Sequence, residues 1–554
     1  MPKTSKILDP ENNILVRIKK LNLKRFVRPA ARILSCAGIL LTFAVVLYYI
    51  LYPARGEFHA DCTDTLMWAV ASHESGQIIS DTFNYACFLP FGGQLLMLPF
   101  INAFGGGIIT HTIGMCLFLL IFSVSLIMLT RAMKWNITWT FITTFSLLLT
   151  VCTSEKLREI FWGHIIYYSL GILFMLIGLN LVFKVLENSE NIKKNKLKLI
   201  IYTVVLFVWF TLCSLNQLES FTIFVVPAAA GVLGEAFFSY SEKVKCRKNA
   251  VSVILFVIIA IAAGLGYILG SKIIGDNVAG YATAFSNFSE MAKWNENLHT
   301  FFTAWLSLLG VTIKQNQPIA DFTGMITLIR IIYGFILIVA PFIITFKFKK
   351  QSRPVRILII THWTMTALIM MGYVFGLLSA ANWRLSPIIC TSVLMTVALC
   401  QWIYTNTSFK RNIAIMLIPM MIICCVSVVD ILKMHTKERT NVHLYRLMEV
   451  LENNDLTYGY ATFWNANCIT VLSNEQVKVR NIAVSDMGDC TKSMYQSDEN
   501  WYKDQPGQEN YFIILTQDEL SKVNTNAYPI ISDAQDIYYC GNYAIAVFNH
   551  NIFS

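Results

Sequence analysis

Apolar runs of about twenty residues recur along most of the chain, as at residues 33–51, 253–269 and 413–429. Each run is long enough for a helix to cross the roughly 30 Å hydrocarbon core of a bilayer. Inside lipid every backbone N–H and C=O group must be paired within the protein, which leaves helices and closed barrels. The strands of a barrel would appear as short segments of alternating polarity, whereas these runs are continuous. The sequence therefore predicts an α-helical polytopic membrane protein.

Eleven spans fit this pattern and form a predicted transmembrane domain over residues 33–432. They are predicted at residues 33–52, 108–130, 137–153, 162–183, 199–214, 219–238, 250–271, 324–346, 356–378, 385–405 and 412–432. A further apolar stretch at residues 88–104 contains prolines and adjacent glycines, which weaken a helix in lipid. This stretch is predicted to be re-entrant or interfacial, and it belongs to the first outer loop, residues 53–107.

Lysine and arginine residues are concentrated in alternate loops between these spans. Because basic loops stay in the cytoplasm, the basic N-terminal segment 1–32 is predicted to be cytoplasmic. Eleven spans then place residues 433–554 on the extracytoplasmic side of the membrane. The formal net charge of +10 is thus an orientation signal, and it indicates no nucleic-acid partner. Membrane lipid is the partner that the pattern implies.

Residues 433–554 differ from the rest of the chain because the long apolar runs stop there. Strand-like stretches occur at residues 477–484, 511–515 and 543–548, after a helix-like segment at 443–452. The sequence predicts a small C-terminal extracytoplasmic α/β domain. Disulfides can form in the predicted extracytoplasmic segments, and these contain Cys62, Cys87, Cys490 and Cys540.

Acidic residues are prominent in the first outer loop, between two membrane-embedded segments. Asp61 and Asp64 are three residues apart, so they would share one face of a helix. Leu66 and Val70 indicate that this helix lies on the bilayer surface, where lipid head groups meet water-soluble substrates. A solvated loop whose acids merely keep it outside is the alternative. The membrane-hugging context favours a functional role for Asp61.

Charged residues of both signs follow the third span, namely Glu155, Arg158, Glu159 and His164. An aromatic belt at the membrane interface explains the neighbouring Trp162. It does not explain His164 beside a turn rich in ion pairs. A structural role and a functional role are equally open for this cluster.

Two arginines lie near predicted outer helix ends. Arg330 falls about two turns inside its span, and Arg384 lies next to the tenth span. Charges within a membrane usually face a cavity and mark function, although snorkelling to the surface is equally open for Arg330. The planar guanidinium group can donate two hydrogen bonds to a phosphate. Acids and arginines on one side of the membrane are typical of an extracytoplasmic enzyme that uses a lipid phosphate.

Three consecutive stretches resemble the type-C (GT-C) membrane glycosyltransferases: ADCTDTLMWAVASHESGQIISDTF, LPFGGQLLMLPFINAFG and a span that ends in TRAMKW. In that family an acidic motif after the first span precedes an alanine-rich amphipathic helix, a glycine and a proline-bearing interfacial helix. The sequence NWRLSP is similar to the family's Arg-Tyr-x-x-Pro pattern, with Leu385 replacing the aromatic residue. The resemblance implies a GT-C-like fold, a polyprenyl-phosphate sugar donor, a glycan or lipid acceptor, and a bacterial plasma membrane.

The resemblance also implies roles for the candidate residues. Asp61 or Asp64 would be the general base that deprotonates the acceptor hydroxyl, in a single inverting displacement. The family usually shows an acidic pair, whereas here Cys62 follows Asp61, so a divalent cation at Asp61 and Asp64 is left open. The implied substrate-binding residues are Glu155, Arg158, Glu159, His164, Arg330 and Arg384. A transporter or flippase for a lipid-linked glycan, or a non-catalytic scaffold, is the alternative.

Overall fold

The structure is a computed structural model, and it describes residues 10–241, 246–274, 287–377, 381–434, 442–525 and 529–553. Within these ranges, ten helices are long and apolar enough to cross a membrane. A bent helix pair makes an eleventh if it is counted as one span. The predicted multi-pass helical membrane protein is thereby confirmed. Residues 1–9 of the predicted cytoplasmic segment lie outside the described residues.

The long helices of the described chain follow the predicted spans. In chain order they are Pro10–Leu51, Ile108–Ala132, Ile137–Thr150 with Glu155–Trp162, Tyr167–Ser189, Ile192–Ser214, Gln217–Ser220 continuing through the π-helix Phe221–Val225 into Val226–Ser241, Cys246–Ile274, Phe322–Phe346, Arg353–Phe375, Ser386–Asn406 and Asn412–Lys433. Shorter helical segments between them are Pro53–Arg55, Ala60–Thr63, Asp64–Ser75, Gly93–Leu96, Leu98–Phe104, Met291–Leu308, Phe348–Lys350 and Asn382–Leu385.

The third span is bent sharply. The helix Ile137–Thr150 ends before the predicted residue 153, and Glu155–Trp162 continues at an angle of 110° to it. Residues 151–154 connect the two helices. The hydroxyl of Ser154, the last of them, caps the second helix by accepting a hydrogen bond from the Leu157 N–H at 3.2 Å. A serine at this position satisfies an N–H group that the new helix cannot pair internally. The bend turns the charged helix Glu155–Trp162 across the end of the bundle.

The apolar stretch at residues 88–104 does not form a long helix. It contains the turn Gly93–Leu96 and the helix Leu98–Phe104, whose seven residues cover only about 10 Å. This agrees with the prediction that the stretch does not span. The helix Met291–Leu308 was not predicted, because its first half, MAKWNENLH, is too polar to read as an apolar run.

The C-terminal segment contains the predicted sheet. The strands of the described chain are β1 (Phe83–Asn84), β2 (Tyr458–Thr462), β3 (Lys478–Val484), β4 (Cys490–Lys492), β5 (Ser497–Asp498), β6 (Tyr511–Thr516), β7 (Asp536–Cys540) and β8 (Tyr543–Phe548). Six of them form one sheet in the order β4-β3-β2-β6-β8-β7, with β2 parallel to both β3 and β6. The accompanying helical segments are Val442–Asn453, Ala466–Leu472, Glu499–Tyr502, Gln517–Thr525 and Pro529–Ser532. The three predicted strands are confirmed to within one residue.

The first loop, residues 53–107, is attached to this C-terminal domain. Its strand β1 pairs antiparallel with β5 of the domain. The indole N–H of Trp68 donates to Gln496 Oε1 at 2.7 Å, and the Gly106 N–H donates to Glu475 Oε2 at 2.6 Å. The domain therefore lies over the loop, and the end of the bundle on which it sits is called the domain face below.

The predicted helix of the first loop is present as Asp64–Ser75. Residues 64–72 are all buried, whereas His73 and Glu74 in the last turn are exposed. Its position at the membrane surface stays a prediction. The C-terminal domain covers the face that was expected to meet water.

The cysteines predicted as disulfide candidates do not pair with one another. Cys62, Cys87 and Cys540 are free thiols, so no bond joins any two of the four candidates. Cys62 and Cys87 are buried in the first loop. Cys62 is therefore available for other chemistry.

Candidate active site

The bent third span and the first loop meet at the domain face. The chain is extended at His59 and then turns through Ala60–Thr63, which buries Ala60 and Cys62 and leaves Asp61 outward. Glu159 comes from the helix Glu155–Trp162. These two segments bring side chains from distant parts of the sequence into one cluster.

The turn after Glu155–Trp162 adds His164 to this cluster. Ile165 and Tyr167 in this turn have φ values of 43° and 34°, a region that β-branched and bulky residues rarely adopt. Such backbone strain persists where the surrounding structure enforces it, and it often occurs at functional sites. The strained turn fixes His164 against the first loop.

Glu159 is the centre of the cluster. Its Oε2 lies 3.1 Å from His59 Nε2 and 2.5 Å from Lys156 Nζ, and its Oε1 lies 3.5 Å from His164 Nε2. His59 Nδ1 lies 3.9 Å from Asp61 Oδ2. The Glu159 side chain is 6% exposed, whereas that of Asp61 is 37% exposed. The cluster thus has a buried carboxylate at its base and an accessible one at its rim.

The charges in the cluster stabilise one another. Burial disfavours a charged His59 ring, but the adjacent Cys62 and Glu159 outweigh burial and raise the His59 pKa to about 11. Burial also opposes ionisation of Cys62, yet His59 and His164 lower the pKa of its thiol to about 6. The pKa of His164 is raised in spite of burial, because Cys62 and Glu159 lie beside it. Negative and positive groups therefore alternate through the site.

Asp61 and Asp64 have different environments, although they were expected to share one helix face. Asp64 begins the helix Asp64–Ser75 and is buried. Burial raises the pKa of Asp64 well above its usual value. Within the described residues its Oδ1 has no hydrogen-bond partner. A buried carboxyl group is out of reach of an acceptor hydroxyl, so Asp61, whose side chain is exposed to solvent, is the better candidate base.

Arg158 forms a buried ion pair with Glu57. Its Nε donates to Glu57 Oε2 at 2.9 Å and its Nη2 contacts Oε1. The Tyr49 hydroxyl also donates to Oε2, at 2.6 Å. The Arg158 guanidinium, which was expected to bind substrate, thus holds the first loop to the helix Glu155–Trp162.

Arg330 is also held by protein groups. Its Nη1 donates to the Gly310 carbonyl, and its Nη2 lies 3.3 Å from Asp430 Oδ2. This side chain therefore links three segments of the bundle. Glu155 lies exposed in the first turn of its helix.

The remaining cations lie beside the cluster. Lys156 Nζ sits 5.1 Å from the centre of the Trp383 ring while it contacts Glu159. Trp383 and the half-buried Arg384 belong to the turn Asn382–Leu385, which packs on the bent helix.

Two overlapping groups of side chains could hold a metal ion. One ligand atom from each of His59, Asp61, Glu159 and His164 lie within 4.8 Å of one another, and so do those of His59, Cys62 and His164. Imidazole and carboxylate groups bind many divalent metals, whereas a thiolate favours softer ions. The pair Asp61 and Asp64 is not among the groups found in the described part of the chain.

Three important residues were not among the predicted site residues: His59, Cys62 and Lys156. The sequence His-Ala-Asp-Cys places three metal-ligand types within four positions, and this spacing could have drawn attention to His59 and Cys62. Lys156 could be recognised only from the bend that turns it toward Trp383.

Comparisons with known proteins give a limited likeness. No family model matches the chain, and no curated protein sequence matches it. The oligosaccharyltransferase of Archaeoglobus fulgidus, tethered with an acceptor peptide containing the NVT sequon, is 12% identical with a TM-score of 0.48. The match covers 93% of this chain and 74% of that chain. Its apo form is 10% identical with a TM-score of 0.47, covering 94% and 74%. At these values the likeness carries no argument about this chain.

Proposed function

We propose that this protein is a type-C membrane glycosyltransferase that moves a sugar from a polyprenyl-phosphate donor to a glycan or lipid acceptor. The reaction takes place at the domain face, which is extracytoplasmic in a bacterial plasma membrane. The observation that carries the proposal is the accessible Asp61 carboxylate. It lies beside buried and charged groups from the first loop, from the helix Glu155–Trp162 and from the turn after that helix. The sequence resemblance of the same loop to this family supports it.

Asp61 acts as the general base. It accepts the proton of the acceptor hydroxyl as that oxygen attacks the anomeric carbon of the donor. The bond between this carbon and the phosphate oxygen breaks in the same step, and its electron pair leaves on the polyprenyl phosphate. One displacement inverts the anomeric centre, and no sugar-enzyme bond forms. A positioned base of this kind typically contributes about 10²–10⁴-fold to the rate.

Cations beside the cluster stabilise the leaving phosphate. Lys156 approaches this space from the helix Glu155–Trp162 and Arg384 from the turn Asn382–Leu385. Fixed positive charge is most effective where negative charge develops. Arg158 and Arg330 have a structural role, because protein acceptors already engage them. Glu159 positions His59 and Lys156 through its direct contacts.

His164 borders the space for the sugar from its buried turn, where Glu159 and Cys62 hold its ring. Glu155 lies at the exposed rim of the same helix and would meet the acceptor. Asp64, which is buried at the start of the helix Asp64–Ser75, supports the turn and takes no part in proton transfer.

The test uses full-length protein in liposomes with a panel of polyprenyl-phosphate sugars and an envelope extract. Release of polyprenyl phosphate is measured for wild type, Asp61→Asn and Asp81→Asn. Asp81 is an exposed acid of the same loop and serves as the matched control. We expect Asp61→Asn to lower release by about 10²–10⁴-fold and the control to retain it.

Two results would overturn the proposal. One is release that does not depend on Asp61. The other is no release from any donor by folded protein that moves a lipid-linked glycan across the bilayer, which would identify a transporter or flippase.

A further inference from the structure

Cys62 occupies a place in the cluster that the proposed sugar transfer does not use. It is 2% exposed and lies at the centre of the turn between His59 and Asp64. Its Sγ would come within 3.0 Å of a Cβ atom placed on Gly163. The glycine next to His164 therefore allows the two loops to approach closely at the thiol.

The donor atoms around Cys62 have the composition of a zinc site. His59 and Cys62 are three residues apart on one tight turn, and His164 reaches them from the turn after the helix Glu155–Trp162. The three ligand atoms lie within 4.8 Å of one another. Zinc binds imidazole nitrogen at about 2.0–2.1 Å and thiolate sulfur at about 2.3 Å. Tetrahedral ligands at those lengths are about 3.5 Å apart, so a small contraction of the cluster would complete the site.

A second observation points to a ligand here. The Nε2 atom of His164 is buried and makes no well-aligned hydrogen bond within the described residues, because its contact with Glu159 Oε1 is a long ion-pair contact at 3.5 Å. A buried polar nitrogen that is so poorly paired is costly, and a metal ion would satisfy it. Glu159 Oε2 lies 3.1 Å from His59 Nε2, as do the carboxylates that orient a metal-binding histidine through its other ring nitrogen.

We propose that His59, Cys62 and His164 bind one zinc ion, with the fourth coordination position facing Asp61 and Glu159. Cys62 binds as the thiolate, and its proton is released to solvent. Two imidazoles and a thiolate select zinc or cobalt over magnesium or manganese, which prefer oxygen ligands. Three protein ligands with an open position are typical of catalytic rather than purely structural zinc.

The inference concerns the same site as the proposed transferase, and it is tested without any sugar donor. Full-length protein in detergent is freed of metal with a chelator and titrated with Co²⁺, which substitutes for zinc and absorbs visible light. We expect one equivalent to give tetrahedral cobalt bands and a thiolate-to-cobalt charge-transfer band. One equivalent of Zn²⁺ should remove both.

Cys62→Ser is the decisive variant, and Cys87→Ser is its matched control, because Cys87 is another buried free thiol of the same loop. Cys62→Ser should abolish the charge-transfer band and weaken Co²⁺ binding by at least about tenfold. Cys87→Ser should leave both unchanged. If Cys62→Ser does not fold, His164→Gln is used, and it should weaken binding similarly while the thiolate band shifts.

Wild-type protein that gives no thiolate band, or that binds Mn²⁺ and Mg²⁺ more tightly than Co²⁺, would overturn the zinc inference. Because the spectrum is recorded without donor, a zinc site can be found in a protein that releases no polyprenyl phosphate. Conversely, Asp61-dependent release without the cobalt spectrum would support the transferase and reject the metal.

Discussion

Changing Glu57 to glutamine should destabilise the protein strongly without touching the proposed reaction centre. The Glu57 carboxylate and the Arg158 guanidinium are 8% and 11% exposed, and they are joined by two contacts, one of them at 2.9 Å. In Glu57→Gln the Arg158 charge stays buried with only neutral acceptors beside it, the new amide and the Cys152 carbonyl. Removing one partner of a buried ion pair costs about 3–5 kcal/mol, because the other charge is left uncompensated.

A double-mutant cycle separates the interaction free energy of the Glu57–Arg158 pair from the other effects of each substitution on stability. Arg158→Met should also cost about 3–5 kcal/mol, since it strands the carboxylate. The double variant should be close to wild type, within about 1 kcal/mol, because neither charge remains and the introduced amide oxygen can still accept from the Tyr49 hydroxyl. With two single losses of about 3–5 kcal/mol and a double loss of at most about 1 kcal/mol, the coupling free energy is expected to be about 5 kcal/mol or more.

The assay is reversible unfolding in mixed micelles at increasing fractions of sodium dodecyl sulfate, followed by tryptophan fluorescence. Additive losses in the double variant, or a loss below about 1 kcal/mol in Glu57→Gln, would refute the buried ion pair. A stable Arg158→Met protein that fails only in sugar transfer would instead return Arg158 to its predicted role as a substrate-binding residue.

Three further changes test how the domain and the bent span are built. Gln496→Ala leaves the buried Trp68 N–H without its acceptor at 2.7 Å. The loss should cost about 1–3 kcal/mol of stability and speed proteolysis of the C-terminal domain. Unchanged proteolysis would contradict this contact. Gly459→Ala puts a Cβ against the Phe512 carbonyl oxygen, well inside van der Waals contact. The clash should cost about 1–3 kcal/mol of stability in the same unfolding assay. A neutral effect would mean that the strands separate more easily than the structure implies. Asn136→Ala removes the side chain that caps the third span and should cost about 0.5–2 kcal/mol, while Asn136→Asp, which keeps the cap, should not.

The fold could be predicted well because the bilayer leaves few options. A run such as Ile108–Ala132 has to be helical in lipid, and its length alone marks it as a span. The bend after Thr150 and the amphipathic helix Met291–Leu308 were missed. Both depend on a cap or on packing against neighbouring elements, and neither effect is visible in an apolar run.

The site could be predicted only in part. Asp61, Glu159 and His164 were identified as separate candidates, and the structure brings them into one cluster. Arg158 and Arg330 were expected to bind substrate because of their chemical type, but their protein partners Glu57 and Asp430 lie far away in sequence. Pairings over such distances follow from tertiary packing, so the sequence pattern could not separate structural arginines from available ones.

The most direct test of the proposed sugar transfer follows the two halves of the donor separately. A polyprenyl-phosphate sugar carries a fluorophore on the lipid and tritium on the sugar, and it is incubated with the protein in liposomes and envelope extract. If the protein transfers the sugar, the labels separate, with fluorescent polyprenyl phosphate left in the membrane and tritium in the acceptor, and Asp61→Asn stops the separation. Labels that stay together in one lipid while that lipid crosses the bilayer would contradict sugar transfer.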